Sequence, residues 1–133
     1  MVVQRSPIVG KGVFAARGVR AGALLGEIRR SLVRYSRVPQ RGEPGYGHAI
    51  QIKRGWWLLL DHSPFYFLNH SCDPNTRAVF RGTGLRIVSA KAIRAGEELT
   101  LDYGSVSYAD DPYEITCRCG SPRCRGKVKG RRG

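Results

Sequence analysis

The four cysteines of this chain are spaced in a way that suggests a single metal site. Cys117, Cys119 and Cys124 form a C-x-C-x4-C cluster near the C-terminus, whereas Cys72 stands alone 45 residues upstream. Four thiolates complete the tetrahedral coordination that Zn²⁺ takes in structural sites and leave no metal-bound water. Two disulfides, or four unrelated thiols, would use the same residues. Disulfides require an oxidising compartment, and the stretch from Met1 to Pro7 lacks the apolar segment of a signal peptide, so we expect a four-cysteine zinc site.

Cys72 belongs to a polar segment that also carries candidate binding residues, the run Asn69-His70-Ser71-Cys72-Asp73-Pro74-Asn75. Its second half is typical of a turn, because proline fixes φ and the flanking Asp and Asn side chains can bond to the backbone. By residue type alone, His70 is equally a metal ligand or a turn residue bonded to the backbone. Four cysteines already fill a zinc coordination sphere, which argues against His70 as a ligand.

The elements that must position these residues are predicted to be short strands. Alternating or continuously apolar residues predict strands at 47–52, 56–60, 85–90 and 99–103. Glycine and proline recur at short intervals, and no long window carries a helical stripe. We therefore expect one mainly β domain, with short helical turns near Ser36 to Arg41 and Phe65 to Leu68.

Charge and hydropathy narrow the class of protein. The formal net charge is +13 over 133 residues, and residues 117–133 hold seven basic residues and no acidic one. The longest wholly apolar run has five residues, far short of the roughly 20 needed to cross a bilayer, so we expect a soluble intracellular protein. The basic surface is explained either by solubility or, for residues 127–133, by a disordered arm that contacts nucleic acid or an acidic partner.

Three sequence blocks, in a fixed order, resemble a known family. They are Gly10-Lys11-Gly12-Val13-Phe14-Ala15, the Asn69 to Asn75 run, and Gly96-Glu97-Glu98-Leu99-Thr100-Leu101-Asp102-Tyr103-Gly104. With the C-terminal cysteine cluster, they resemble the SET-domain protein lysine methyltransferases with a post-SET segment, and in particular the small bacterial and viral members. The resemblance implies small twisted β-sheets with a pseudoknot, in which the Asn-His segment and the tyrosine segment thread past each other. It also implies a SET domain at 1–108, a post-SET zinc-binding segment at 109–126 and a basic, disordered tail at 127–133.

The resemblance implies an S-adenosylmethionine-dependent enzyme that methylates lysine side chains of a histone or another basic, nucleic-acid-associated protein. Tyr103 becomes the expected catalytic residue, with its hydroxyl orienting the amine at the methyl-transfer centre. The implied cofactor-binding residues are Gly10, Lys11, Gly12, Val13, Phe14, Asn69, His70 and Tyr103. The implied ligands of a structural Zn²⁺ are Cys72, Cys117, Cys119 and Cys124.

The same resemblance bears on the substrate. Leu101 stands where the family commonly has Phe or Tyr, which indicates room for more than one methyl group. Asp110, Asp111 and Glu114 form either an acidic lip for a lysine-bearing segment or a solvated loop, and the basic flanks could engage nucleic acid to which the substrate is bound. A rival interpretation is a non-catalytic, zinc-containing SET-like module that binds nucleic acid or chromatin, and methylation of a target other than lysine is a third. The intact Tyr103 and Asn69-His70 favour the enzyme.

Overall fold

The computed structural model describes residues 1–29, 32–35, 49–60, 63–110 and 114–132. Within these ranges the chain forms short strands and two 3₁₀ turns, Pro64–Phe67 and Tyr103–Val106. The strands are β1 (Val2–Arg5), β2 (Lys11–Phe14), β3 (Leu24–Ile28), β4 (Leu32–Arg34), β5 (Ala49–Lys53), β6 (Trp56–Leu59), β7 (Asn69–His70), β8 (Thr76–Arg81), β9 (Gly84–Ser89), β10 (Glu98–Leu101), β11 (Glu114–Thr116) and β12 (Lys127–Lys129). Neither described helical turn is long and apolar enough to span a bilayer.

The described strands form four small sheets, which confirms the predicted mainly β fold. Their orders are β1-β2-β10-β7, β3-β9-β8, β4-β6-β5 and β11-β12. In the first sheet β7 runs parallel to β10, with Asn69 opposite Thr100 and His70 opposite Leu101. The Asn-His segment therefore lies directly beside the strand that leads to Tyr103.

The turn after Cys72 is attached to the same sheet by an asparagine. Asn75 Nδ2 donates to the carbonyl of Glu98 at 2.8 Å, and the Thr100 N–H donates to Asn75 Oδ1 at 2.9 Å. The side-chain amide of Asn75 thus makes the hydrogen bonds to β10 that a neighbouring strand would otherwise make. Val13, Leu58, Leu85 and Leu99 are fully buried in the main core. Three consecutive residues are buried in each of β2, β6 and β10, so these short strands are covered on both faces.

The C-terminal tail, residues 114–132, is ordered. The expectation of a disordered segment at 127–133 is wrong for residues 127–132, because β12 pairs antiparallel with β11 and places Ile115 opposite Val128. Val128 is fully buried and packs against Cys72 and Cys117. In β12, the buried Val128 between two exposed lysines thus packs this strand against the cysteine cluster.

The other predicted elements agree with the structure to within a few residues. Strands β6, β9 and β10 lie where alternating or apolar residues predict them, and the helical turn expected near Phe65 is the 3₁₀ turn Pro64–Phe67. The strand predicted at 47–52 is described as Ala49–Lys53. The turn predicted near Ser36 to Arg41 lies outside the described residues.

Candidate active site and metal centre

Tyr103 begins the 3₁₀ turn that directly follows β10. Its hydroxyl donates a hydrogen bond to the carbonyl of Leu68, and its backbone N–H donates to His70 Nδ1 at 3.0 Å. Burial, and to a smaller extent the charge of Glu98, raises the pKa of Tyr103 to about 12. The phenol is therefore protonated at neutral pH and held at both ends.

His70 connects this tyrosine to the cysteines. Because Nδ1 accepts the Tyr103 N–H, the neutral ring carries its proton on Nε2, which lies 3.4 Å from Cys72 Sγ. Burial lowers the pKa of His70, even though the Asp102 carboxylate lies 3.9 Å away and acts in the opposite direction. His70 is thus a neutral bridge between Tyr103 and Cys72.

The four cysteines converge as the sequence predicts. Their sulfur atoms all lie within 4.8 Å of one another, and none is joined in a disulfide. Cys72 and Cys117 Sγ are 3.8 Å apart, and four thiolates on a tetrahedral ion with bonds of about 2.3 Å would be separated by about 3.8 Å. Cys72 Sγ also accepts the backbone N–H of Arg125 at 3.4 Å. Two donors on one sulfur suit a thiolate ligand, so the donor set fits a metal ion.

Asn69 is held in one orientation by a buried polar network. Its Nδ2 donates to the carbonyl of Lys11 at 3.1 Å and to Glu98 Oε2 at 2.8 Å, and the Ser6 hydroxyl donates to the same carboxylate at 2.8 Å. Both amide hydrogens are therefore directed into the protein. The amide oxygen is the group that Asn69 can offer to a ligand.

Gly10 and Gly12, the glycines of the first sequence block, are required for different physical reasons. A Cβ at Gly12 would lie 2.2 Å from Glu98 Oε2, so the residue must be small for the carboxylate to reach Asn69. Gly10 has φ of +51° and open space around it, so its backbone conformation is what favours glycine. Their role toward a cofactor stays a prediction.

Two cavities meet at Tyr103. One, the apolar cavity, has a volume of about 260 Å³. Its described walls include Ile28, Ile50, Phe65, Leu68, Ile87, Leu101, Tyr103 and Ile115. The other, the Asn69 cavity, has a volume of about 350 Å³ and is lined by Ile8, Val9, Asn69, His70, Tyr103, Ile115, Thr116, Cys117, Arg118 and Cys119. Since Tyr103 and Ile115 line both, two ligands bound in the two cavities would approach each other at the tyrosine.

The predicted site residues are distributed unevenly around these cavities. Asn69, His70 and Tyr103 line the Asn69 cavity, and Leu101 lines the apolar cavity. Residues 10–14 line neither; Val13 and Phe14 are buried in the core and Lys11 is exposed. The backbone of this block touches the site only through the Lys11 carbonyl that Asn69 binds.

The predicted acidic lip is already paired with basic residues of the chain itself. Asp110 accepts two hydrogen bonds from Arg54 Nη1, at 2.9 and 3.0 Å. Glu114 lies 3.5 Å from Lys127 Nζ and 3.7 Å from Lys129 Nζ. Asp111 lies outside the described residues. A basic substrate that binds at these carboxylates would have to displace Arg54, Lys127 or Lys129.

Sequence reasoning missed a group of residues directly beside Tyr103. Asp102 is buried and accepts hydrogen bonds from Arg125 Nη2 at 2.7 Å, Arg131 Nη2 at 2.8 Å and the Gly104 N–H at 2.9 Å. Burial alone would raise the pKa of Asp102, but the two guanidinium groups and the Gly104 N–H outweigh it and lower the pKa to about 2. In the sequence, only Asp102 itself pointed to this group, because it is an acidic residue in the strand predicted at 99–103. Arg125 and Arg131 could not be distinguished from ordinary surface charges.

Comparisons with known proteins agree with this geometry. A family model described as SET domain matches residues 10–104. A histone-lysine N-methyltransferase, H3 lysine-4 specific, of Mycosarcoma maydis is 36% identical over 133 residues, covering 91% of this chain and 9% of that protein. Histone-lysine N-methyltransferase EHMT1 of Homo sapiens is 31% identical over 134 residues, covering 91% of this chain and 10% of the relative. Histone-lysine N-methyltransferase trr of Drosophila melanogaster is 31% identical over 132 residues, covering 91% and 5%. The chain thus spans only a small part of the length of each relative.

Proposed function

The chain belongs to the SET domain family, and we propose that it is an S-adenosylmethionine-dependent methyltransferase acting on lysine side chains of a protein substrate. The observation that carries this proposal is the meeting at Tyr103 of the apolar cavity and the Asn69 cavity, whose mainly apolar lining also includes the polar side chains of Asn69, Thr116 and Arg118. A transfer reaction needs donor and acceptor aligned at one point, and alignment alone supplies a large part of the rate.

The apolar cavity suits the acceptor amine. Lysine has a reference pKa of about 10.4 and is mostly charged at neutral pH, so it must lose a proton before it can attack. Apolar walls disfavour the charged form and lower the pKa of the amine. Tyr103 keeps its own proton because burial raises its pKa to about 12, so it orients the amine rather than acting as the base. We propose that Leu101, at the wall of this cavity, leaves room for more than one methyl group.

The Asn69 cavity suits the donor. When bound, S-adenosylmethionine supplies the methyl group from a cationic sulfonium. The amide oxygen of Asn69 can accept a hydrogen bond from an ammonium group, and the charge of Glu98 lies immediately behind that amide. His70 holds the backbone between Asn69 and Cys72 against Tyr103, which keeps the cavity wall in register with the tyrosine. We assign Gly10 to Phe14 a supporting role through the Lys11 carbonyl, which helps to orient Asn69.

We further propose that the four cysteines bind one structural Zn²⁺. The separation of Cys72 and Cys117 Sγ supports a tetrahedral thiolate site, and Cys117 and Cys119 also line the Asn69 cavity. The metal would therefore fix one wall of the cofactor site without touching the reacting atoms.

Radiolabelled methyl transfer tests the activity. The chain should label a lysine-containing protein in a panel of histones, ribosomal proteins and other basic proteins, and Tyr103→Phe should bind S-adenosylmethionine with near-normal affinity but lose about 100-fold or more in kcat. Full activity of Tyr103→Phe would contradict the proposal. Calorimetry with S-adenosylmethionine separates the proposed enzyme from the non-catalytic alternative. A chain that binds the cofactor gives a binding heat, whereas a non-catalytic module that has lost the cofactor site gives none.

A second proposed role is contact with the nucleic acid that accompanies a basic substrate. Arg77 and Arg81 lie on the same face of β8, are exposed, and have no carboxylate partner among the described residues. Lys127 and Lys129 are 72% exposed on β12. Neutralising either pair to glutamine should weaken binding to duplex DNA and reduce the slope of log affinity against log salt by about one for each phosphate that is no longer neutralised. An unchanged slope in both double variants would exclude this role.

A further inference from the structure

We propose that Asp102, Arg125 and Arg131 form an arginine clamp that positions Tyr103 and makes its alignment depend on docking of the C-terminal tail. This inference rests on the proposed function for its kinetic consequence, but the contact itself can be measured without activity. The three residues touch neither cavity, so they would act through Tyr103 and His70.

The Asp102 carboxylate accepts hydrogen bonds from two arginines of the tail, Arg125 and Arg131. Arg125 binds both carboxylate oxygens, with Nη2 at 2.7 Å from Oδ1 and Nη1 at 3.1 Å from Oδ2. Arg131 Nη2 binds Oδ2 at 2.8 Å. The Asp102 side chain is only 10% exposed, so no other counter-charge from solvent can easily replace these two guanidinium groups.

The same carboxylate builds the turn that carries Tyr103. Asp102 caps the 3₁₀ turn by accepting the Gly104 N–H, and its backbone directly precedes the tyrosine. The tail also bonds to this turn through its main chain, because the Arg131 N–H donates to the Gly104 carbonyl at 2.9 Å. A Cβ at Gly104 would lie 2.6 Å from the Lys129 carbonyl, so the tail packs against the turn with no space between them.

The clamp also reaches the cysteine cluster. Arg125 follows Cys124 in the chain, and its backbone N–H donates to Cys72 Sγ. One residue thus contacts a cysteine of the cluster with its backbone and the Tyr103 turn with its side chain. Displacement of the tail would remove three hydrogen bonds from a buried carboxylate, and that carboxylate would then draw the turn toward solvent.

Substitutions in the zinc-loaded full-length chain test this assignment. We expect Arg125→Met and Arg131→Met each to lower kcat by about tenfold or more, because small misplacements at a reacting centre have effects of that size. The affinity for S-adenosylmethionine and the zinc content should change by less than threefold. Arg125→Lys should recover only part of the rate, since an ammonium group cannot bind two oxygens in a fork as Arg125 does. Added guanidinium should partly restore the rate of Arg131→Ala, a rescue that a general loss of stability would not show.

The matched control is Arg123→Met. Arg123 lies in the same tail, is exposed, and makes no side-chain hydrogen bond or ion pair with the described residues. It should keep the wild-type kcat. Wild-type kcat in both clamp variants would overturn the proposal. If those variants lose zinc or fail to fold, Asp102→Asn provides the decision. Its remaining oxygen can still accept the Gly104 N–H, but the negative charge and the acceptor that faces Arg131 are lost. Wild-type kcat there would overturn the proposal equally.

Hydrogen exchange separates failure of the clamp from failure of the proposed function. If the wild-type chain transfers no methyl group, the proposed function fails, but the amides of residues 103–106 should still exchange faster in Arg125→Met and Arg131→Met than in Arg123→Met. Equal exchange in all three variants would overturn the clamp whether or not the chain is active.

Discussion

Asn69 presents its amide oxygen to the Asn69 cavity because Glu98 fixes the orientation of the amide. A carboxylate can only accept hydrogen bonds, so the Nδ2 group must face it, and the Lys11 carbonyl holds the second hydrogen. Gly12 is the condition for this arrangement, since any larger residue would displace Glu98. Residue types in the motifs could therefore be recognised from sequence, whereas the partner that orients them could not.

Replacing Glu98 by glutamine should weaken cofactor binding. The new amide can donate as well as accept, so Asn69 is no longer held in one orientation. At metal sites, loss of an outer partner that orients a ligand costs about 10- to 100-fold in affinity. We expect the dissociation constant for S-adenosylmethionine, measured by calorimetry, to rise about tenfold while kcat at saturation changes little. Glu97→Gln, in the neighbouring exposed residue, is the control and should bind normally. Normal affinity in both variants would contradict this role of Glu98.

Asp102 should make the stability of the fold depend on pH in the acid range. Its pKa in the folded chain is about 2, below the ordinary value of 3.8, so the charged form is favoured by folding. The stabilisation is therefore fully present above pH 4 and is lost as the pH falls to 2, and a shift of this size corresponds to about 2 kcal/mol. Denaturant unfolding of wild type and Asp102→Asn between pH 2 and 5 measures it. Effects of acid elsewhere in the chain are common to both proteins, so the difference between their free energies of unfolding should shrink toward pH 2; a constant difference would argue against the shift.

At the scale of elements, the sequence predicts strands better than it predicts how the tail is attached. Alternating apolar and polar residues identify β9 and β10. In β9 burial follows this alternation, whereas in β10 the polar Thr100 is buried together with Leu99 and Leu101. Apart from Cys117, Val128 is the only buried apolar residue in the described part of the tail, and the basic residues of the tail outweigh that signal. The sequence did not predict the 3₁₀ turn Tyr103–Val106. The contacts that hold this turn come from Asp102 and from arginines more than 20 residues away, which only the fold brings together.

Gly130 allows a test of how tightly the tail packs against residues 107 and 108. A Cβ at Gly130 would lie 2.2 Å from the Tyr108 carbonyl and 2.6 Å from the Ser107 carbonyl, both of them backbone atoms that cannot swing away. Gly130→Ala should therefore lower the free energy of unfolding by about 1 to 3 kcal/mol, as overpacking commonly does. It should also speed exchange of the Ala109 amide, which donates to the Arg132 carbonyl. Gly18→Ala is the control, because its Cβ would meet only the Ile93 carbonyl at 3.7 Å; equal stability of the two variants would mean that the tail is loosely docked.

For the whole molecule, part of the high positive charge serves internal contacts rather than external ones. Arg125 and Arg131 bind Asp102, and Arg132 binds the carbonyls of Ile52 and Val106 while its guanidinium lies 4.0 Å from the Phe80 ring centroid. The net charge in the sequence therefore overstates how much of the tail is free to contact nucleic acid. Net charge alone could not reveal this, because a carboxylate at the end of β10 and an arginine in the tail are brought together only by the fold.

Removal of the metal should test how the site is joined to the rest of the molecule. The proposed zinc ligands come from two distant segments, Cys72 beside His70 and three cysteines of the tail, so the ion would close a long loop and hold the tail over Tyr103. After chelation and buffer exchange, we expect methyl transfer to fall at least tenfold and the amides of β11 and β12 to lose protection, whereas β8 and β9 keep theirs because they belong to the main core. Added Zn²⁺ should restore both, at one ion per chain.

Tyr103→Phe is the control, because it should bind one zinc and protect its tail normally while remaining inactive. If the metal-free chain kept full activity, the metal would hold the tail without any influence on the tyrosine, and the link from Cys72 through His70 to Tyr103 would have no functional consequence.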